Sequence, residues 1–88
     1  MNGTDATGVH SSAIGINSTA SGPRSTAIGN SAIASGETSF AVGQSSATSG
    51  SHSIAIGLNT IANEKGTTSI GWITKATGQY STALGYGG

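Results

Sequence analysis

Eighty-eight residues allow one domain, so the chain is read as a single unit over 1–88. Only 7% of it is charged, the formal net charge is zero, cysteine is absent, and Arg24, Lys65 and Lys75 lie far apart. A phosphate-binding basic patch, a disulfide framework and a thiolate metal site are all excluded. No signal peptide and no apolar run of about eighteen residues occurs, so if the chain belongs at a cell surface its export signal and anchor are expected elsewhere.

From Gly8 onward, glycine falls on every seventh residue: Gly15, Gly22, Gly29, Gly36, Gly43, Gly50, Gly57, Gly71, Gly78 and Gly85. Only Glu64 misses the beat. Two kinds of segment alternate, giving a true repeat of fourteen residues. The first is Ser-x-Ala-Ile-Gly, at Ser11–Gly15, Ser25–Gly29, Ser39–Gly43 (with Val42), Ser53–Gly57, Thr67–Gly71 and Ser81–Gly85. The second is Ala-x-Gly, at Ala6–Gly8, Ala20–Gly22, Ala34–Gly36 and Ala76–Gly78. Gly, Ser, Thr and Ala at low charge would otherwise suggest a flexible linker, but a linker has no reason to keep phase. A fixed period without insertions marks a stacked repeat.

The period selects the stack. Each glycine in a helix costs about 1 kcal/mol relative to Ala, which argues against helix. Collagen needs glycine at every third position, and the calcium-binding nonapeptide repeat needs a GGxGxD string that the chain lacks. Triangular β-helices of the acyltransferase type run on six residues. Two turns and two short strands per fourteen residues predict an all-β, flattened, parallel coil of about six turns.

Strand alternation assigns the faces. In Ser-x-Ala-Ile-Gly, the Ser, Ala and Gly share one side and x and Ile the other. Ala13 with Ala20, Ala27 with Ala34 and Ala55 with Ala62 are expected to face each other across a thin interior of Ala, Ser and Gly. The serine hydroxyls are expected to bond along the ladder. Ile14, Ile28, Val42, Ile56, Ile70 and Leu84 then point outward in one stripe, joined by Phe40 and Ile54 at position x. At about 4.8 Å per coil the stripe stands some 25 Å tall. Such a surface signals a partner. Ordering costs about 1.5 kcal/mol per residue, more than so small an interior offsets, so association is expected. Burying the stripe on a symmetry axis suits a dimer or a trimer.

No catalytic constellation is visible. His10 and His52 occupy equivalent turns about 14 Å apart by stacking and read as solvated turn residues, not a shared metal site. Asp5, Glu37 and Glu64 fall in different coils, and no serine has the strained elbow context of a nucleophile. No metal or other cofactor is expected. Trp72, Tyr80 and Tyr86 cluster near the C-terminal end, where they anchor a ligand, cap the solenoid or pack on a neighbouring domain. Asn2-Gly3-Thr4 and Asn17-Ser18-Thr19 match the glycosylation sequon, a string common by chance.

The strings SSAIGINS (Ser11–Ser18), STAIGNSA (Ser25–Ala32), SFAVGQSS (Ser39–Ser46) and SIAIGLNT (Ser53–Thr60), with ATG or ASG between them, resemble the head repeats of bacterial trimeric autotransporter adhesins, the YadA-like heads. The resemblance covers roughly Asp5 to Gly87. It implies a left-handed parallel β-roll assembled as a homotrimer on a stalk at the bacterial outer membrane, facing outward. It implies virulence-related adhesion to host cells or an extracellular matrix protein such as collagen, and cell–cell clumping, without enzymatic activity. The trimer interface would be Ile14, Ile28, Phe40, Val42, Ile54, Ile56, Ile70 and Leu84.

The fifth coil departs from this pattern: Ser69 replaces the core alanine, and Glu64-Lys65-Gly66 suggests a reshaped turn with Gly66 left-handed. Among other β-solenoids, an ice-binding sheet would need an unbroken Thr row. The best row here reads Ser12, Thr26, Phe40, Ile54, Thr68, Thr82. A phage or surface-fibre segment is the remaining alternative.

Overall fold

The computed structural model describes residues 5–87; Asn2-Gly3-Thr4 lies outside the described residues. Among the described residues twelve strands alternate between two parallel sheets. The narrow sheet holds two-residue strands: β1 (Asp5–Ala6), β3 (Thr19–Ala20), β5 (Ile33–Ala34), β7 (Ala47–Thr48), β9 (Ile61–Ala62) and β11 (Lys75–Ala76). The wide sheet holds β2 (Ser12–Ile14), β4 (Thr26–Ile28), β6 (Phe40–Val42), β8 (Ile54–Leu58), β10 (Thr68–Trp72) and β12 (Thr82–Tyr86). Every strand pairs with the one fourteen residues away in the same sheet, as Ala27 with Ala41 and Ala20 with Ala34. The chain is therefore a parallel β-solenoid of about six coils with no helix among the described residues.

Hydrogen bonding runs round the whole coil. On entering a strand the backbone N–H donates forward, as Thr26 to the Ser39 carbonyl (2.9 Å) and Phe40 to Ser53 (3.0 Å). At the corners it donates backward, as Ser31 to the Ile16 carbonyl (2.8 Å) and His52 to Glu37 (2.7 Å). Pro23 has no N–H to give, and its carbonyl accepts from Thr38 (2.8 Å). The corners are thus ladders in their own right.

The left-handed residue of each corner is not the glycine on the beat. It stands two positions later: His10, Asn17, Arg24, Ser31, Thr38, Ser45, His52, Asn59, Gly66, Ile73 and Tyr80 all have φ between 55° and 69°. For non-glycine residues this conformation costs roughly 1–2 kcal/mol each, so it persists because stacking on the neighbouring coil imposes it. The beat glycines answer a different demand. A Cβ on Gly22 would meet the Gly36 carbonyl oxygen in the next coil and lie 2.6 Å from its carbon. The coils approach too closely there for any side chain.

The fifth coil is accordingly not reshaped. Gly66 (φ 69°) occupies the same left-handed position as Arg24 (φ 56°), Thr38 (φ 55°) and Tyr80 (φ 59°) at that corner. Glycine is needed because the Tyr80 ring lies over it, with Cδ1 2.7 Å from where a Cβ would sit.

Along its shortest axis the Cα trace spans only 10 Å. Into that thickness fit Ala20, Ala27, Ala32, Ala34, Ala41, Ala55, Ala62 and Ala76, with ten buried Ser and Thr. The largest fully buried side chains are threonines. Three hydroxyls bond within their own turn: Ser11 Oγ to the Gly8 carbonyl (2.7 Å), Ser53 Oγ to Gly50 (2.6 Å) and Thr67 Oγ1 to Glu64 (2.7 Å). Those of Ser18, Ser25, Ser39, Ser46, Thr60 and Ser81 are buried without a hydrogen-bond partner. Ser35 Oγ does reach the next coil, donating to the Thr48 carbonyl (3.1 Å).

Ser69, in the column otherwise filled by alanine, shares a 2.6 Å hydrogen bond with Thr74 Oγ1, and both residues are buried. Removing one hydroxyl strands the other. Ser69→Ala is expected to destabilise by about 1–3 kcal/mol, while Ser69→Ala with Thr74→Val recovers most of the loss. Thermal melts of the two variants at one protein concentration check this; equal losses would show the pair to be unimportant.

Candidate functional site: the outer face of the wide sheet and the two edges

Because Ala27, Ala41 and Ala55 point inward, their neighbours on each strand point out. Cα pairing aligns Ile14, Ile28, Val42, Ile56, Ile70 and Leu84 into one unbroken column. A second column on the same face carries Ser12, Thr26, Phe40, Ile54, Thr68 and Thr82. Ile28, Val42, Ile54, Ile56 and Ile70 are half-buried against their neighbours, while Ile14, Phe40 and the terminal Leu84 (66%) are exposed. All eight residues named from the sequence therefore share one face, which carries no charged residue.

The narrow sheet's outer column reads Asp5, Thr19, Ile33, Ala47, Ile61 and Lys75 and changes character from coil to coil. The remaining charges gather on one edge, at the corner containing His10, Arg24, Thr38, His52, Gly66 and Tyr80. Arg24 Nη2 and Glu37 Oε2 form a 2.7 Å ion pair there, with both side chains about half exposed. An exposed pair of this kind contributes about 0–1 kcal/mol. His10 and His52 are exposed corner residues on this edge, in coils that are not adjacent. Asn17 is an exposed corner residue on the other edge, but Ser18 beside it is buried.

The aromatic residues do not form one group. Trp72 and Tyr86 stand fourteen residues apart on the edge of Asn17 and Ile73, with ring centroids 4.8 Å apart and planes inclined by 30°. Tyr80 lies on the opposite edge, over Gly66. Neighbourhood in sequence misleads here because half a coil carries the chain from one edge to the other. Stacking at a separation of fourteen was the better signal, and it was present in the column Leu58, Trp72, Tyr86. Sequence reasoning also passed over the exposed apolar corner residues Val9 and Ile73.

Among the described residues there is no pocket and no group of three or more His, Asp or Glu placed to hold a metal ion. No helix is long and apolar enough to cross a membrane. What the surface offers is a flat apolar face, a neutral aromatic edge and a polar edge.

A search of curated proteins returned no match. The YadA head domain repeat, whose profile spans two copies of the repeat, matches residues 6–32, 34–60 and 62–87. Each match covers two coils, so the three together take up nearly the whole roll and meet it in phase. On that coverage the chain belongs to the YadA head domain repeat family.

Proposed function

We propose that the chain is an adhesion module: a left-handed β-roll that assembles as a homotrimer with its wide sheets turned inward, carried outward-facing at the bacterial outer membrane. The observation that carries this reading is the charge-free Ile/Val/Leu column, standing on a slab whose own interior is alanine and serine. An interior 10 Å thick cannot take these side chains in, so another chain must. Symmetric closure buries the column on an axis, and the family points to three copies.

The trimer's outer walls are then the narrow sheets, with Thr19, Ile33, Ala47, Ile61 and Lys75 facing out. A matrix protein such as collagen, or a host cell surface, is bound along these walls by many weak contacts multiplied by valency, and the same contacts promote clumping. The role is binding and structural, with no chemical step. Nothing favours the ice-binding alternative: Phe40 and Ile54 interrupt the best threonine row.

Sedimentation equilibrium tests the assembly. The expected result is a trimer at micromolar concentration whose melting temperature rises with protein concentration, as mass action requires when folding and association are coupled. A folded monomer would overturn it.

A further inference from the structure

Three large aromatic side chains mark the C-terminal end of the roll. All remain exposed: Trp72 at 50%, Tyr80 at 68% and Tyr86 at 70%. The fold places Trp72 and Tyr86 on one edge and Tyr80 on the other, yet all three stand at nearly the same height, in the last turns of the stack. Resting on the trimer reading above, we infer that each protomer's Trp72–Tyr86 pair packs against Tyr80 of the partner subunit, so that three aromatic seams close this end of the trimer.

Symmetry supplies the first step. The Ile14–Leu84 column runs along the stacking direction, so the axis that buries it is parallel to the stack. Rotation about such an axis leaves height unchanged, and coils of equal rank meet. A closed ring also joins unlike surfaces, one patch on each subunit meeting a different patch on the next. With three wide sheets turned to the axis, the surfaces that meet are the two edges. Residues that half a coil separates within one chain are thereby brought to one boundary between chains.

The chemistry of the edges agrees. From the column the apolar surface continues round the corner without a charge: Ile70-Gly71-Trp72-Ile73 in one coil and Leu84-Gly85-Tyr86 in the next. The opposite edge has charges, but they cancel locally. Arg24 and Glu37 are paired at 2.7 Å, and Glu64 adjoins Lys65 in sequence. A neutral aromatic edge therefore meets an edge without net charge. Tyr80 is also held in place: its ring rests on Gly66, the only glycine at the left-handed position of that edge. A ring so supported presents its outer face to a neighbour, and aromatic groups favour offset or edge-to-face partners.

Trp72 is the only tryptophan, so its emission reads this edge alone. In the full chain, at concentrations where sedimentation gives a trimer, Trp72 emission is expected to be blue-shifted and acrylamide quenching slower than for N-acetyltryptophanamide. Tyr80→Asn keeps a residue at home in the left-handed corner (φ 59°) and leaves the Ile column intact. It is expected to remain a trimer while its emission shifts red and its quenching approaches that of the free amide. Tyr80→Phe, which keeps the ring, retains wild-type emission, as does Thr38→Asn three coils away on the same edge. Trimeric Tyr80→Asn with wild-type emission and quenching overturns the seam and leaves the trimer reading standing. A wild-type chain that sediments as a folded monomer overturns the trimer reading, and the seam with it.

Discussion

Ile28→Asp together with Ile56→Asp is expected to abolish the trimer and, with it, the fold. Both residues lie within the central column of the wide sheet, half-buried by their neighbours even in one chain. Completing the burial of an isoleucine is worth up to about 1.5–3 kcal/mol. An aspartate in its place forfeits that gain and adds the cost of burying an unpaired carboxylate, several kcal/mol unless it stays protonated. Two such changes per chain approach or exceed the whole stability of an ordinary domain, about 5–15 kcal/mol.

Because the alanine interior is too small to hold a coil alone, the dissociated chain loses its cooperative melting transition instead of surviving as a folded monomer. Sedimentation equilibrium and circular dichroism read the two effects. Ile33→Asp is the matched control: it places the same charge on the narrow sheet, where Ile33 is exposed, and is expected to leave assembly and melting nearly unchanged. If the double variant still sediments as a trimer, the Ile column is not the interface. If it sediments as a monomer yet binds matrix as tightly as the parent, valency is not the source of adhesion.

The contrast between these two isoleucines was legible from the residues. Ile28 follows a core alanine on a three-residue strand, Ile33 precedes one on a two-residue strand, and both point outward by alternation. What separates them is the column each joins. Fourteen residues either way, Ile28 meets Ile14 and Val42, whereas Ile33 meets Thr19 and Ala47. Column continuity is a property of the period, so the sequence could display it. The same period exposed the alanine interior and the parallel register.

Features that depend on how one coil presses on the next were less legible. That the left-handed corner falls two residues after the glycine, on Arg24, Thr38 and Ile73, runs against local preference, and only the finished ladder enforces it. Ser69 looked like a defect in the alanine column until Thr74, five residues on and across the coil, supplied its hydrogen bond. Tyr80 looked like a neighbour of Trp72 because the intervening chain is short, but that chain is half a coil. The first two are relations across or between coils, for which a linear pattern at period fourteen carries no sign, whereas the third follows from the period itself.

The glycine beat supplies the second large effect, since residues that look equivalent in sequence are predicted to respond very differently. Gly43, Gly85 and Gly78 all fall on the beat. At Gly43 two penalties coincide: φ is 123°, in a region nearly closed to side chains, and a Cβ would meet the Gly57 carbonyl oxygen, with its carbon at 2.8 Å and its nitrogen at 3.0 Å. These are backbone atoms of a coil stacked on both sides, so they cannot swing aside as the end of a long side chain can. The backbone strain is worth about 1–3 kcal/mol and the overpacking about as much again, on the order of 2–6 kcal/mol per chain for Gly43→Ala.

Gly85 keeps only the first penalty, because φ is 115° but nothing lies within 4 Å of its added Cβ. Gly78 has neither: its φ lies outside the left-handed range, and the nearest atom to a Cβ is Ser81 Cβ at 3.8 Å, an ordinary contact. Gly78→Ala is therefore expected to fall within about 0.5 kcal/mol of the parent, or to gain slightly from a stiffer unfolded chain. Thermal melts of the three variants at one concentration should rank Gly78→Ala above Gly85→Ala above Gly43→Ala. Should Gly43→Ala melt with Gly85→Ala, close approach of the coils is not what the beat records, and the glycines must be explained by backbone conformation alone.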